Sequence, residues 1–198
     1  VAADQFGLMN WTRQLGTHFI IEAGAGKKDH LRAAIEKISA SQGLDTTHDY
    51  SSTGWVASNG VNYYVGTARA EQAGVRAALA GPLSRFRIPL APEGDELKAG
   101  ILSALSLWDV APDSITIPLF SAVFRAPVAP APFAIFLVGS TGVFKTELAA
   151  LAQRFFGPEM DAQHLPGSWS STGNALEEQA FLAKETILVV DDFVPAGS

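Results

Sequence analysis

Ala134-Ile-Phe-Leu-Val-Gly139-Ser-Thr-Gly142-Val-Phe-Lys145-Thr146-Glu147 is the stretch whose reading decides the fold. A short apolar run ends at Gly139, a glycine-containing loop follows, and Lys145-Thr146 opens a new pattern. Apolar residues then fall at Leu148, Leu151, Ala152, Phe155 and Phe156, the spacing of a helix with one buried face. Gly157-Pro158 stops it. The order is strand, loop, helix. The spacing also matches the nucleotide-binding P-loop (Walker A) at its first glycine, Gly139, at its lysine, Lys145, and at its hydroxyl residue, Thr146. Phe144 stands where that motif carries a second glycine, and Gly142 offers backbone freedom two residues earlier.

The residue types suit phosphate chemistry. Backbone N–H groups of Gly139, Ser140, Thr141, Gly142, Val143, Phe144, Lys145 and Thr146 would cradle phosphate oxygens, helped by the positive end of the helix dipole. Lys145 would neutralise β- and γ-phosphate charge, and Thr146 would place its hydroxyl on Mg²⁺. Taken alone, the stretch also fits a strand-to-helix turn that binds nothing.

A second stretch favours the ligand. Thr186-Ile-Leu-Val-Val-Asp191-Asp192-Phe193 is a β-branched apolar run ending in two acids, the pattern of a buried parallel strand. The carboxyl end of such a strand is where α/β sheets place ligand chemistry. Asp191 is the expected Mg²⁺ acid (Walker B), and Asp192 the candidate base that activates the attacking water. By itself this run would read as a core strand followed by an Asp-rich turn. Paired with Lys145, the two-part signature of an ATP hydrolase is the better account.

The 198 residues are 47% hydrophobic and 17% charged, the composition of a globular chain. No apolar run is long enough to span a membrane, so a membrane partner is not expected. The N-terminus shows no secretory pattern, and its first residue, Val1, suggests a fragment or a processed start. With no cysteine, disulfides and thiolate metal sites are excluded, which fits a cytoplasmic protein. The net charge of −6 lies entirely in residues 96–198, and no basic stripe of the kind that tracks nucleic acid is visible. Any nucleic-acid contact is therefore local, or lies outside these residues.

The rest of the chain reads as an N-terminal α+β module. Phe6 and Trp11 are expected core anchors. His18-Phe-Ile-Ile-Glu-Ala23 reads as a strand, and residues 29–39 as a helix. Trp55-Val-Ala-Ser58 and Val61-Asn-Tyr-Tyr-Val65, joined by Asn59-Gly60, read as a hairpin. Residues 68–80 read as partly helical, and Phe86, Ile88 and Leu90 as one more strand, with Arg85 and Arg87 on its solvent face. Helical patterns follow from Gly94 to Trp108 and from Pro118, and a proline-rich connection leads into the loop strand. Asn174 and Glu177 read as a capping box opening a helix to about Lys184. Ser168, Ser170, Ser171 and Thr172 either line the nucleotide site or cap that helix. His164 lacks partners at metal-ligand spacing.

The expected fold is therefore α/β. Residues 1–94 form the α+β module, 95–131 a helical, proline-rich connector, and 132–198 a partial three-layer P-loop NTPase core. Five segments occur in an order that resembles a known family: Thr53-Gly54-Trp55, Leu119 to Pro127, Gly139 to Lys145, Ser168 to Glu177, and the acidic strand to Asp192. The family is a bacterial and phage one, a domain of unknown function fused to a helicase-like P-loop ATPase and typical of mobile elements. Two positions depart from its pattern: Phe144 replaces the second loop glycine, and Asp191-Asp192 replaces its Asp-Glu pair.

The resemblance implies ATP and Mg²⁺ as cofactors and an ATP-dependent role on single-stranded or duplex DNA, in replication or maintenance of a mobile element. A homo-oligomer through the ATPase core is also open. The resemblance further implies that more of the core follows Ser198, so that residues 1–198 alone would hydrolyse ATP poorly. Two other readings stay open: a sensing or assembly module that binds nucleotide with little or no hydrolysis, and a small-molecule kinase. A kinase would be favoured by direct pairing of the loop strand with the acidic strand.

Overall fold

The computed structural model describes residues 3–17, 19–43, 47–129 and 131–193. The protein is mixed α/β, and it parts into two compact units, Val1–Thr46 and Thr47–Ser198. The expected divisions after residues 94 and 131 both fall inside the second unit.

The first unit holds α1 (Ala3–Phe6), a 3-10 turn (Asn10–Leu15) and α2 (Lys27–Gln42). Phe6 and Trp11 stack on one another with centroids 5.7 Å apart, and Trp11 Nε1 donates to the Phe6 carbonyl at 3.3 Å. Residues 19–23, expected as a strand, belong to none; His18 lies outside the described residues. The described residues of this unit contain no second strand, and a strand exists only through its ladder.

The second unit runs β1 (His48–Tyr50), β2 (Gly54–Ser58), β3 (Val61–Val65), α3 (Ala68–Gln72), β4 (Val75–Ala77), and a 3-10 turn (Gly81–Arg85). It continues through α4 (Gly94–Leu105), a 3-10 turn (Ser106–Val110), α5 (Asp113–Arg125), α6 (Lys145–Gln153), and a 3-10 turn (Arg154–Phe156). It closes with β5 (Gly167–Ser168), α7 (Gly173–Leu182) and β6 (Val190–Asp191). The strands make three two-stranded sheets: β1 with β4 in parallel, β2 with β3 antiparallel, and β5 with β6 in parallel.

The hairpin forms as its turn dictates. Asn59 and Gly60 take φ of 51° and 77°, the two left-handed positions of the favoured two-residue turn. Trp55 faces Tyr64 across it, edge to face at 5.3 Å. Tyr64 is buried and belongs to the main core with Leu83, Phe86, Val123, Ala152, Phe156, Met160 and Ala183. This core joins the hairpin to α5, to α6 with the 3-10 turn after it, and to the segment following α7.

Several elements differ from their sequence reading. Phe86 and Ile88 enter the core from a 3-10 turn and a single bridge, Ile88 to Thr67, rather than from a strand. Arg87 keeps the exposed position expected of it and there pairs with Glu71 at 3.1 Å. Helix α5 begins at Asp113, and Pro118 sits inside it. Pro112 at the cap and the acid Asp113 in the first turn are the start signal there. Thr172, not Asn174, caps α7: its Oγ1 accepts from the Ala175 N–H at 3.3 Å.

The loop strand is the main departure. Residues 134–138 belong to no strand, and Val138 is 91% exposed. The acidic strand is short, and only Val190 and Asp191 join a ladder. A buried parallel strand needs a neighbour on each edge. The described residues give β6 a neighbour on one edge and give residues 134–138 none, so no continuous three-layer sheet is assembled among them.

Candidate functional site

The loop before α6 turns into the helix through two left-handed backbone positions. Gly142 takes φ 84°, and Phe144, the N-cap residue, takes φ 56° and ψ 27°. The Phe144 carbonyl then accepts the first helical bond, from Leu148 N–H at 3.0 Å. The left-handed region is where glycine is at ease and phenylalanine is not. Phe144 thus holds a backbone conformation that glycine would adopt without strain. The Phe144 side chain is 73% exposed, so it gains little packing in return.

Lys145 folds back over the loop. Its Nζ donates to the carbonyls of Gly139 at 3.1 Å and Ser140 at 2.8 Å. A Cβ on Gly139 would stand 3.4 Å from Val143 Cγ2, which marks how closely the loop closes there. The first-turn N–H groups of Lys145, Thr146 and Glu147 have no acceptor among the described residues, and no side chain caps the helix. Thr146 is half-buried, and its hydroxyl has no hydrogen-bond partner among them either. Open donors, a hydroxyl and an ammonium thus converge at one helix start, a combination suited to an anion.

The acids stand at the end of β6. Asp191 is half-buried and Asp192 exposed, and no hydrogen bond or ion pair engages either carboxylate among the described residues. Asp192 takes φ 62°, which aspartate tolerates better than most residues. In the β5–β6 ladder Gly167 pairs with Val190 and Ser168 with Asp191. Gly167 N–H donates to the Val189 carbonyl at 3.2 Å, and Trp169 N–H to the Asp191 carbonyl at 2.8 Å. A Cβ on Gly167 would lie 2.8 Å from the Val189 oxygen, so this close approach needs glycine.

One buried side chain ties the two halves together. Gln153, at the far end of α6, is 0% exposed, and its Oε1 accepts from the Val189 N–H at 2.8 Å. The helix that begins with Lys145 and Thr146 is thereby fastened to the strand that carries Asp191. Residues 134–138 make no ladder with β6, so the pairing that would favour a kinase is not seen among the described residues.

The start of the acidic segment is held by the hairpin. Thr53 is 2% exposed; its N–H donates to the Leu182 carbonyl at 2.9 Å and its Oγ1 to the Lys184 carbonyl at 2.7 Å. Trp55 N–H donates to Glu185 Oε2 at 2.6 Å, Trp55 Nε1 to the Pro127 carbonyl at 2.7 Å, and Tyr64 Oη to the Glu185 carbonyl. Glu185 itself takes φ 59°. Gly54 between them takes φ 102°, and a Cβ there would meet Glu185 Oε2 at 2.7 Å. Burial pushes the Tyr64 hydroxyl pKa well above its ordinary value, and the Glu185 carboxylate adds to the effect. Elsewhere His164 Nδ1 meets Asp161 Oδ1 at 2.6 Å, and that hydrogen bond holds the Asp161 carboxyl below the usual carboxylate range.

The sequence reading gave no role to Gln153 or Glu185 and did not foresee that Thr53 and Tyr64 bond to residues 182–185. The one signal for Gln153 was a lone polar residue within the apolar stripe of α6, beside Ala152 and Phe156. No protein-family model, curated protein or solved structure matches the chain. No described helix is long and apolar enough to cross a membrane.

Proposed function

We propose that residues 139–146 with Asp191 form the nucleotide site of a P-loop ATPase, helicase-like and acting on DNA. The observation that carries the reading is the backbone at Gly142 and Phe144, left-handed at both positions and leading into a helix whose first N–H groups lack partners. A triphosphate fits these residues: Lys145 would exchange two loop carbonyls for phosphate oxygens, a charge-assisted contact. No group of three or more His, Cys, Asp or Glu able to hold a metal occurs among the described residues. Mg²⁺ at a nucleotide site takes one or two protein oxygens together with substrate phosphates. Thr146 and Asp191 would supply those oxygens. Mg²⁺, when bound, would neutralise phosphate charge. Asp192 would accept a proton from water.

The DNA-directed, mobile-element part of the proposal rests on the resemblance of the sequence, as does assembly through the core. The test is ATP binding and steady-state hydrolysis by the full-length protein, with and without single-stranded DNA, beside Lys145→Ala. DNA-stimulated hydrolysis lost in the variant supports the motor. Binding without hydrolysis under either condition replaces the motor with a sensing or assembly module. Absence of nucleotide binding overturns the site.

A further inference from the structure

We propose that Ser168 is a positioning residue for the cation at Asp191, holding by its hydroxyl the carboxylate or a water beside it; this rests on the nucleotide reading above. Ser168 and Asp191 are register partners at the carboxyl end of two parallel strands. Register partners on adjacent strands lie about 4.8 Å apart and project to the same face of the sheet. Their alignment is fixed from both sides. Trp169 N–H donates to the Asp191 carbonyl at 2.8 Å, and Gln153 holds Val189, the residue that leads into β6.

The hydroxyl is also oriented. Ser170 N–H donates to Ser168 Oγ at 3.2 Å, and the two serine oxygens lie 2.8 Å apart. A serine hydroxyl has two lone pairs and one proton. Ser170 N–H occupies one lone pair; either hydroxyl can donate across the 2.8 Å contact, and when Ser170 O–H does so the Ser168 proton is left to be donated. Asp191, its register partner, carries a carboxylate that no described residue engages. Helix capping does not account for Ser168, because Thr172 performs that task for α7. Groups that orient a metal-bound carboxylate typically change metal affinity 10–100-fold when lost.

The experiment uses the full-length protein and measures binding of a fluorescent ATP analogue in EDTA and across a Mg²⁺ titration, with ATP turnover and thermal unfolding alongside. For Ser168→Ala we expect the half-saturating Mg²⁺ concentration to rise about tenfold, with EDTA affinity and unfolding midpoint unchanged. Ser168→Thr keeps the hydroxyl and should restore the wild-type Mg²⁺ dependence. A Ser168→Ala protein with unaltered Mg²⁺ dependence overturns the proposal, as does one weakened equally with and without Mg²⁺, or one that threonine does not rescue. Lys145→Ala separates the two claims: if it leaves nucleotide binding intact, the nucleotide site itself fails. If it abolishes binding while Ser168→Ala behaves as wild type, only the role of Ser168 is lost.

Discussion

Gln153 and Val189 are joined by a buried hydrogen bond of 2.8 Å, side-chain oxygen to backbone N–H, across 36 residues of sequence. The other end of the same amide donates to Met160 Sδ at 2.7 Å, so both its polar atoms are engaged with no water needed. Gln153→Leu keeps the bulk and strands the Val189 N–H, which costs about 1–3 kcal/mol. Urea unfolding should register that loss, and nucleotide affinity should fall with it if the strand shifts. An unchanged midpoint would show that the bond carries no net stability.

Phe144 offers the opposite case. Its left-handed backbone is strained for a residue with a Cβ, and its ring lies largely in solvent. Phe144→Gly removes the strain while admitting more disorder to the unfolded chain, a net gain of about 1 kcal/mol. Stability measured by denaturant should rise and nucleotide binding should hold or tighten. A fall in stability would mean that the ring packs more than its exposure suggests.

Gly167→Ala sets a methyl group 2.8 Å from the Val189 oxygen, a backbone atom that cannot swing away. The β5–β6 ladder must open or shift, at about 1–3 kcal/mol. Amide exchange should quicken at Gly167 and Trp169, the two donors to the acidic strand. Wild-type protection at both amides would contradict the tight approach.

Tyr64 makes stability depend on pH at the alkaline end. Its hydroxyl pKa is raised in the folded state above the ordinary value of 10.0, so the native form holds its proton after the unfolded form has released it. The contribution is therefore whole below about pH 10 and is lost as pH climbs from there toward the folded value. Unfolding midpoints should fall over that window in the wild type and fall less in Tyr64→Phe. Parallel curves for the two proteins would remove Tyr64 as the cause.

Local chemistry was legible in the sequence wherever a residue acts through its own backbone or nearest neighbours. Asn59-Gly60 announced the hairpin, and the stripe from Leu148 to Phe156 announced a helix, whose last three residues form a 3-10 turn. Long-range demands were not legible. Nothing in Thr53-Gly54-Trp55 says that its partners are Leu182, Lys184 and Glu185, and nothing in the apolar run 134–138 says which strand would pair with it. The loop was singled out by spacing, and Phe144 stood out as a departure from the motif because residue type was visible and φ was not. Ser168 stood in a polar cluster with two equal readings until its register with Asp191 separated it from Thr172.

Thr53 and Lys184, joined by a hydroxyl, are 131 residues apart. A ribosome adds about 5–20 residues each second, so on the order of ten seconds separate the making of one from the making of the other. Through that interval Thr53 and Tyr64 have no acceptors in the acidic segment, and the buried face of the hairpin waits uncovered. The nascent chain is then at its most exposed to chaperones and proteases. The loop of residues 139–146 is already made before the acidic segment arrives to close the core.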